Sequence, residues 1–306
     1  MDLSPWTGPV LRRPDALVAG LTDAELARAV RGGSLTRLRR GAYLDSRATV
    51  SPHRALVLAT VAGLRVGTAV SHVSAAVLHG LPLWRVDLSR LHATRRPPAA
   101  GSGSAHVHLH VARLPDDDLV LLDGVLTTGL ARTVVDLSRT LPFESAVVAA
   151  DAALATGAVR PEHLAACLVR MGPVPGSRRA RRVLDFADGR SESVGESRSR
   201  VLIHQLGLPA PDLQVRVLRP DGSLIGRCDF GWPDHRTVGE FDGRVKYRAG
   251  EEGRAPEEVV FREKLREDDL RDHTWEVARW TWADLSTPAV VGGRIRRAFA
   301  RADGPR

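Results

Sequence analysis

A chain of 306 residues with 43% hydrophobic and 26% charged side chains has the balance of a folded protein. That excludes a disordered tail, a collagen-like rod and a coiled coil, and the length suits about two or three domains. The formal charge of +8 is held unevenly, +7 over residues 1–189 and +1 over residues 190–306, which points to a phosphate-bearing partner for the upstream part rather than for the chain as a whole.

Near the N-terminus, Thr22-Asp-Ala-Glu25 is a capping box, and Leu21, Leu26, Ala29 and Val30 form an apolar stripe, so a short helix is predicted to about Arg31. Leu11 to Gly20 is a poor helix by pattern. After Gly32-Gly33, Leu35, Leu38 and Tyr43 alternate with Arg37, Arg39 and Arg40 before a turn at Gly41, the pattern of a β-wing with a basic edge. These residues, Leu38-Arg-Arg-Gly-Ala-Tyr43 above all, resemble the winged-helix start of AbiEi-type antitoxins, which implies a DNA-binding element over residues 1–50.

Ala55 to Leu64 and Val70 to Leu81 read as helices. The first, the longest apolar stretch, has about half of the ~20 residues that a membrane helix needs, and Asp2 without a basic n-region argues against a signal peptide. A cytoplasmic protein with no membrane partner is expected. Ser71-His-Val-Ser-Ala-Ala-Val-Leu-His-Gly80, Thr127-Thr128 before Leu130-Ala-Arg-Thr-Val-Val-Asp-Leu137, and a helix opening at Asp151-Ala-Ala-Leu154 continue the likeness to AbiEi-type antitoxins over roughly residues 20–170. The resemblance implies a larger antitoxin-like α/β domain over residues 51–171 that, in the family, acts against a nucleotidyltransferase toxin. Ser74, Ala75 and Ala76 suit tight helix packing, and Asp136 most simply satisfies a helix or a neighbouring arginine. Between these motifs lies a strand, His106-Val-His-Leu-His-Val111. A metal clip of its alternating histidines is conceivable, but the simpler expectation is that Val107, Leu109 and Val111 face the core and the histidines face solvent. Residues 172–190 read as a linker whose basic run includes Arg178 and Arg179, further candidates for nucleic-acid contact.

From Ser193 the grammar becomes helix, strand, strand, strand, helix, strand. Ser193-Val-Gly-Glu196 opens a helix to about Gln205, Leu213 to Leu218 and Leu224 to Phe230 flank the turn Pro220-Asp-Gly-Ser223, and a second turn at Asp234-His235 leads to Thr237-Val-Gly-Glu-Phe-Asp-Gly243. If that hairpin is symmetric about its turn, Asp229 lies opposite Glu240, with Cβ atoms about 4.5–5.5 Å apart. Asp242 then shares their face, while Cys228, Phe230 and Phe241 take the apolar side. Three carboxylates so placed are unfavourable without something positive between them, and Mg²⁺ or Mn²⁺ is the natural candidate. Cys167 and Cys228 stand far apart, outside any CxxC or Cys/His cluster, so no cysteine-rich zinc site is available. The chain has no Asn, and 42 of its 44 basic residues are Arg; the two lysines, Lys246 and Lys264, fall beside these acids, where an ammonium rather than a guanidinium fork is called for.

Residues 191–286 resemble the PD-(D/E)xK nuclease superfamily, most closely its Vsr-like branch. Arg227-Cys-Asp229-Phe matches the first acidic strand, Val238-Gly-Glu240-Phe-Asp242-Gly243 the second, Glu196 the acidic position of the preceding helix, and Glu263-Lys264-Leu-Arg266 the closing helix. The fold class expected is therefore a multidomain α/β (α+β) protein whose C-terminal domain, residues 191–306, has a mixed sheet flanked by helices. The resemblance implies metal-assisted phosphodiester hydrolysis: Asp229 and Glu240 with Asp242 as metal ligands, Lys246 or Lys264 stabilising charge on phosphorus, Arg266 gripping a phosphate oxygen, and Glu196 tuning the site. Structural alternatives stand beside each. Glu196 completes a capping box, Lys264 sits among helical ion pairs, and Arg227, expected opposite Asp242, is able to neutralise the cluster without metal. Two functions follow, a divalent-metal-dependent DNA endonuclease or a DNA-binding regulator or antitoxin with a catalytically silent nuclease-like domain.

Overall fold

The computed structural model describes residues 10–61, 63–65, 67–99, 106–243 and 256–304, with side chains in the last span from Lys264 onward. The chain divides into two compact units, residues 1–149 with 158–184 and residues 150–157 with 185–306. Among the described residues it is a multidomain mixture of helices with three sheets.

The first unit begins with β1 (Val10–Arg12), α1 (Arg13–Val18), α2 (Asp23–Arg31), β2 (Leu35–Arg39) and β3 (Ala42–Asp45). The strands form an antiparallel sheet in the order β1-β3-β2. The segment that looked unsuited to a helix does form one, α1. Pro14 presets its first turn, Asp15 pairs with Arg12, and Ala16 is buried against Leu11, Leu26, Ala29 and Leu35. The pattern understated it because a helix this short needs only one buried contact. The capping box of α2 is present: Thr22 N donates to Glu25 Oε2 at 2.8 Å, and Glu25 N donates to Thr22 Oγ1 at 3.3 Å. Gly41 (φ +78°) closes the two-residue turn between Arg39 and its partner Ala42, a conformation that favours glycine.

α3 (Pro52–Val61) follows, then β4 (Thr68–Val70), α4 (His72–Leu78), β5 (Leu91–Arg95), β6 (Val107–Val111), β7 (Leu119–Leu122), β8 (Val125–Thr128), α5 (Leu130–Thr140), α6 (Phe143–Ala155), α7 (Pro161–Met171) and α8 (Ser177–Phe186). The predicted helix over 70–81 is thus shorter, its front taken by β4. The strands form a mixed sheet, β6-β5-β4-β8-β7, over a core that includes Val57, Val70, Leu78, Leu91, Ala93 and Leu109. Ser74, Ala75 and Ala76 are fully buried, as tight packing requires. Asp136 is held by two arginines: Arg132 Nε donates to its Oδ2 and Arg139 Nη1 to its Oδ1, both at 2.9 Å. Arg132 Nη1 also reaches Asp118 Oδ2 at 3.1 Å and the Arg113 carbonyl at 3.0 Å.

Three expectations need correction in this region. His108 and His110 are half-buried rather than solvent-facing, because the start of α4 covers their side of the sheet and places His72 against them. The basic run at 178–182 is not linker but part of α8, whose Ala180 and Val183 are buried while its arginines face outward. Asp151 does not open a helix; α6 starts at Phe143, and Asp151 is buried in its C-terminal part. In the second unit, Asp151 accepts from Arg200 Nη1 at 2.7 Å and from Asp188 N at 2.8 Å.

The second unit contains α9 (Val194–Gln205), β9 (Asp212–Leu218), β10 (Leu224–Trp232), β11 (Thr237–Asp242), α10 (Pro256–Asp272), β12 (Glu276–Thr281) and α11 (Pro288–Ala302). Its sheet runs β12-β11-β10-β9, with β11 and β12 parallel and the other pairs antiparallel. One face carries Phe230, Trp232, Phe241 and Trp280 under α9 and α11. The other carries Val217, Cys228 and Val238 with Leu270 of α10. α9 lies so close to β11 that a Cβ at Gly195 would sit 1.9 Å from Phe241 Cε1, and Trp280 Nε1 donates to Ser199 Oγ at 2.8 Å. Because both faces are covered, the expected single apolar side splits. Cys228 packs under α10 while Phe230 and Phe241 face α9 and α11. Between the Cys228–Val215 and Phe230–Leu213 pairs, Gln214 of β9 has φ +54°.

Candidate functional site

Two surfaces, each in its own unit, carry the predicted functional residues other than Arg178 and Arg179. In the N-terminal element, residues 10–50 hold eight arginines and four acids. The acids are engaged locally. Asp15 pairs with Arg12, Asp23 with Arg13 at 2.6 Å, Asp45 with Arg47 at 2.8 Å, and Glu25 serves the cap. The hydrogen bond from Arg13 holds the Asp23 carboxyl below its usual range, and those from Arg47 hold Asp45 down to about 2. Arg28, Arg31, Arg37 and Arg40 are exposed and form no ion pair among the described residues. Arg39 is half-buried, its Nε without a hydrogen-bond partner among the described residues, so it is part of the hairpin's packing more than of its edge. Arg28 and Arg31 were missed by reading the basic run alone. They share the exposed face of α2 with Ala24 and Ala27, which the stripe of Leu26 and Ala29 on the buried face implies.

Arg178 and Arg179 are exposed on α8, with Arg179 Nη1 donating to the Arg139 carbonyl at 3.3 Å. They lie apart from the helix pair and hairpin in the chain, and no ion pair ties them to an acid among the described residues.

In the second unit the β10–β11 ladder pairs Phe230 with Gly239 and Trp232 with Thr237, the register that symmetry about Asp234 and His235 requires. Asp229 and Glu240 therefore lie on adjacent strands, yet their side chains are differently engaged. Asp229 Oδ2 accepts from Phe241 N at 2.9 Å. Glu240, largely buried, is clamped by Arg266 on Oε1 and by Arg279 Nε at 2.9 Å on Oε2. Arg279, its register partner on β12, also reaches Glu267 Oε2 at 2.9 Å. Asp242 ends β11, half-buried. Glu196 is buried and caps α9: Ser193 Oγ donates to Oε1 at 2.7 Å, while Glu192 N and Gln214 Nε2 donate to Oε2 at 2.9 Å each. Arg227 is not opposite Asp242 but forms a two-pronged pair with Glu192, at 2.6 and 2.9 Å, because the ladder to β11 stops at Phe230. Lys264 is exposed on α10, and Lys246 lies outside the described residues.

Asp229, Glu240 and Asp242 do not bring three ligand atoms together among the described residues. Two arginines take both oxygens of Glu240, so the donor set as arranged does not fit a Mg²⁺ ion, and no metal-dependent step follows from it. Charge neutralisation comes from guanidinium groups that were not weighed as partners of Glu240 in the sequence. Burial, with the Glu240 charge nearby, pushes the Cys228 thiol up to about 12, leaving it without nucleophilic character.

Residues 1–44 match the family described as "Transcriptional regulator, AbiEi antitoxin". Two relatives in Mycobacterium tuberculosis, the uncharacterized proteins MT2308 of strain CDC 1551 / Oshkosh and Rv2248 of strain ATCC 25618 / H37Rv, are each 32% identical over 182 residues, covering 59% of this chain. The chain spans 64% of the length of these relatives. The crystal structure of RV2827C protein from Mycobacterium tuberculosis aligns over 70% of this chain and 85% of that chain with 18% identity and a TM-score of 0.38. The N-terminal part is thus AbiEi-like. No helix among the described residues is long and apolar enough to cross a membrane.

Proposed function

We propose that the chain is a DNA-binding transcriptional regulator of the antitoxin class. The observation that supports this best is the N-terminal architecture. Two helices joined by a tight turn pack on a β1-β3-β2 sheet whose hairpin carries Arg37 and Arg40, within the segment that matches the AbiEi regulators. α2 is the reading helix. Its exposed Ala24 and Ala27 let the backbone approach base edges and suit a thymine methyl, Arg28 and Arg31 supply donors, and the hairpin arginines take phosphate. The remaining parts would serve antitoxin function toward a nucleotidyltransferase-type toxin.

The test is selection from a randomised duplex pool with the full chain, followed by binding of the selected duplex by Ala27→Glu. A carboxylate on the exposed face of α2 is expected to weaken specific binding by about 10-fold or more, since a lost base contact is worth about 1–3 kcal/mol. Equal binding by wild type and variant would overturn the assignment of α2.

A second reading, a divalent-metal-dependent DNA endonuclease in the second unit, is favoured by the order α9-β9-β10-β11-α10-β12 and by the adjacency of Asp229 and Glu240. It requires a cation to displace the Arg266 and Arg279 clamp. Calorimetric titration with Mn²⁺ and plasmid nicking, each for wild type and Glu240→Ala, test it. Binding and nicking lost in the variant support the enzyme; absence of both in wild type removes it.

A further inference from the structure

Outside both surfaces, the face of the first unit's mixed sheet opposite its apolar core carries a cluster of imidazoles. β5 and β6 are parallel, and their register sets His92 beside His108 and Thr94 beside His110. The intervening Leu91, Ala93 and Leu109 point into the core, so the three histidines share the other face. His92 Nδ1 lies 3.1 Å from His110 Nε2. The His108 and His110 rings stack at 4.3 Å, and the His92 ring lies 4.8 Å from His108 and 5.2 Å from His110. One ligand nitrogen from each of the three lies within 4.8 Å of the other two.

A fourth imidazole packs against the cluster. His72, buried at the start of α4, stacks on His110 at 3.7 Å, and its Nδ1 lies 2.9 Å from Ser71 Oγ. His72 itself is held at φ +52°, a backbone conformation that costs energy for a residue with a Cβ and that persists where packing over-determines it. Two nitrogens 3.1 Å apart share one proton or one metal ion; with Zn–N bonds of about 2.0–2.1 Å, the edge of a tetrahedral site is about 3.3 Å. The third nitrogen needs to close by up to roughly 1.5 Å, within the reach of a side-chain rotation. An all-imidazole donor set selects a borderline transition metal over Mg²⁺ or Ca²⁺, and three donors leave one position for water or an exogenous ligand.

We propose that His92, His108 and His110 form a binding site for a divalent transition-metal ion of the Zn²⁺ type. The experiment uses the full chain, without a histidine tag and stripped with chelator. It is titrated calorimetrically with Zn²⁺, and separately with Co²⁺ while its visible absorption is followed. One ion per chain and the intense visible bands of tetrahedral Co²⁺ are expected. Because loss of an outer partner alone costs about 10–100-fold in metal affinity, His108→Gln is expected to lose about 100-fold or more. His106→Gln, an exposed neighbour on the same strand segment, is expected to bind as wild type. Should His108→Gln unfold, the Co²⁺ spectrum and a Zn²⁺-dependent rise in wild-type melting temperature decide the matter. Absence of stoichiometric binding by wild type, or equal affinity of wild type and a folded His108→Gln, overturns the proposal.

Discussion

Replacing Arg37 and Arg40 together with alanine removes two of the four arginines of the helix pair and hairpin that are exposed and form no ion pair among the described residues, the others being Arg28 and Arg31. Each phosphate neutralised contributes about 0.9 to the slope of log affinity against log salt concentration on duplex DNA. Four contacts give a slope of about −3.6 and two about −1.8, so raising salt from about 50 to about 200 mM costs wild type about 150-fold in affinity and the double variant only about 12-fold. The fold should not move, since neither side chain is buried or paired with an acid among the described residues, and such surface changes stay within about 0.5 kcal/mol. Fluorescence anisotropy of a short labelled duplex across a salt series, with melting temperatures as the control, reads both numbers. Parallel salt lines for wild type and variant would falsify the assignment of the hairpin as a phosphate contact.

Further expectations concern the buried charges and titrating groups. Arg132→Met leaves the buried Asp118 and Asp136 without their shared partner, a loss of about 3–5 kcal/mol and, for a unit of this size, roughly 6–20 °C in melting temperature. Calorimetry should show it in the transition of the first unit, while Arg170→Ala, removing a half-exposed pair to Asp118, should cost about 1 kcal/mol or less; equal losses would deny the network its central residue. His79 is half-buried with Nε2 2.8 Å from the Thr128 carbonyl, and burial lowers its pKa below 6.5. The unfolded chain then binds the extra proton first, so this contribution to stability is complete above about pH 6.5 and is lost as pH falls. The melting temperature should drop between about pH 7.5 and about pH 5, and by less in His79→Gln; an unchanged drop would exclude His79 as a source. Burial raises the thiols of Cys167 to about 11 and Cys228 to about 12, so a thiol-specific reagent near neutral pH should label both only after denaturation. Rapid labelling of native Cys228 would mean that its packing under α10 is wrong.

The order of elements from α9 to β12 was legible because their boundaries are written in local chemistry. Ser193 caps α9, Pro220-Asp-Gly-Ser223 turns the first hairpin, and the pair register follows from the turn at Asp234-His235. The partners of Glu240 were not legible, since Arg266 and Arg279 lie 26 and 39 residues away and meet it only after α10 and β12 have packed. The histidine strand failed for a related reason. Alternation correctly separated Leu109 from His108 and His110, but whether the second face meets water or a covering element depends on α4, which the strand's own pattern does not encode. α1 was underestimated because its support, the contact of Ala16 with Leu26 and Leu35, is tertiary.

Which part of the chain engages phosphate depends on how its charges are paired rather than on how many there are. In the second unit, Arg200, Arg219, Arg227, Arg266, Arg279, Arg294 and Arg301 each bind an acid of the same unit. A phosphate approaching such a guanidinium must compete with a carboxylate already in place. In the N-terminal element the acids are retired by Arg12, Arg13, Arg47 and the α2 cap, which leaves the exposed arginines of α2 and the hairpin unpaired among the described residues. Counterion release needs cations that are not already neutralised. Removing the exposed arginines of α2 and the hairpin should therefore flatten the salt dependence of duplex binding by the full chain, even though the second unit, with 21 basic residues against eight, holds more than twice as many. A Glu240→Gln variant, which removes the charge holding Arg266 and Arg279, should by the same reasoning raise duplex affinity at low salt rather than lower it. A fall in affinity would place Glu240 in a role that its two arginine partners do not explain.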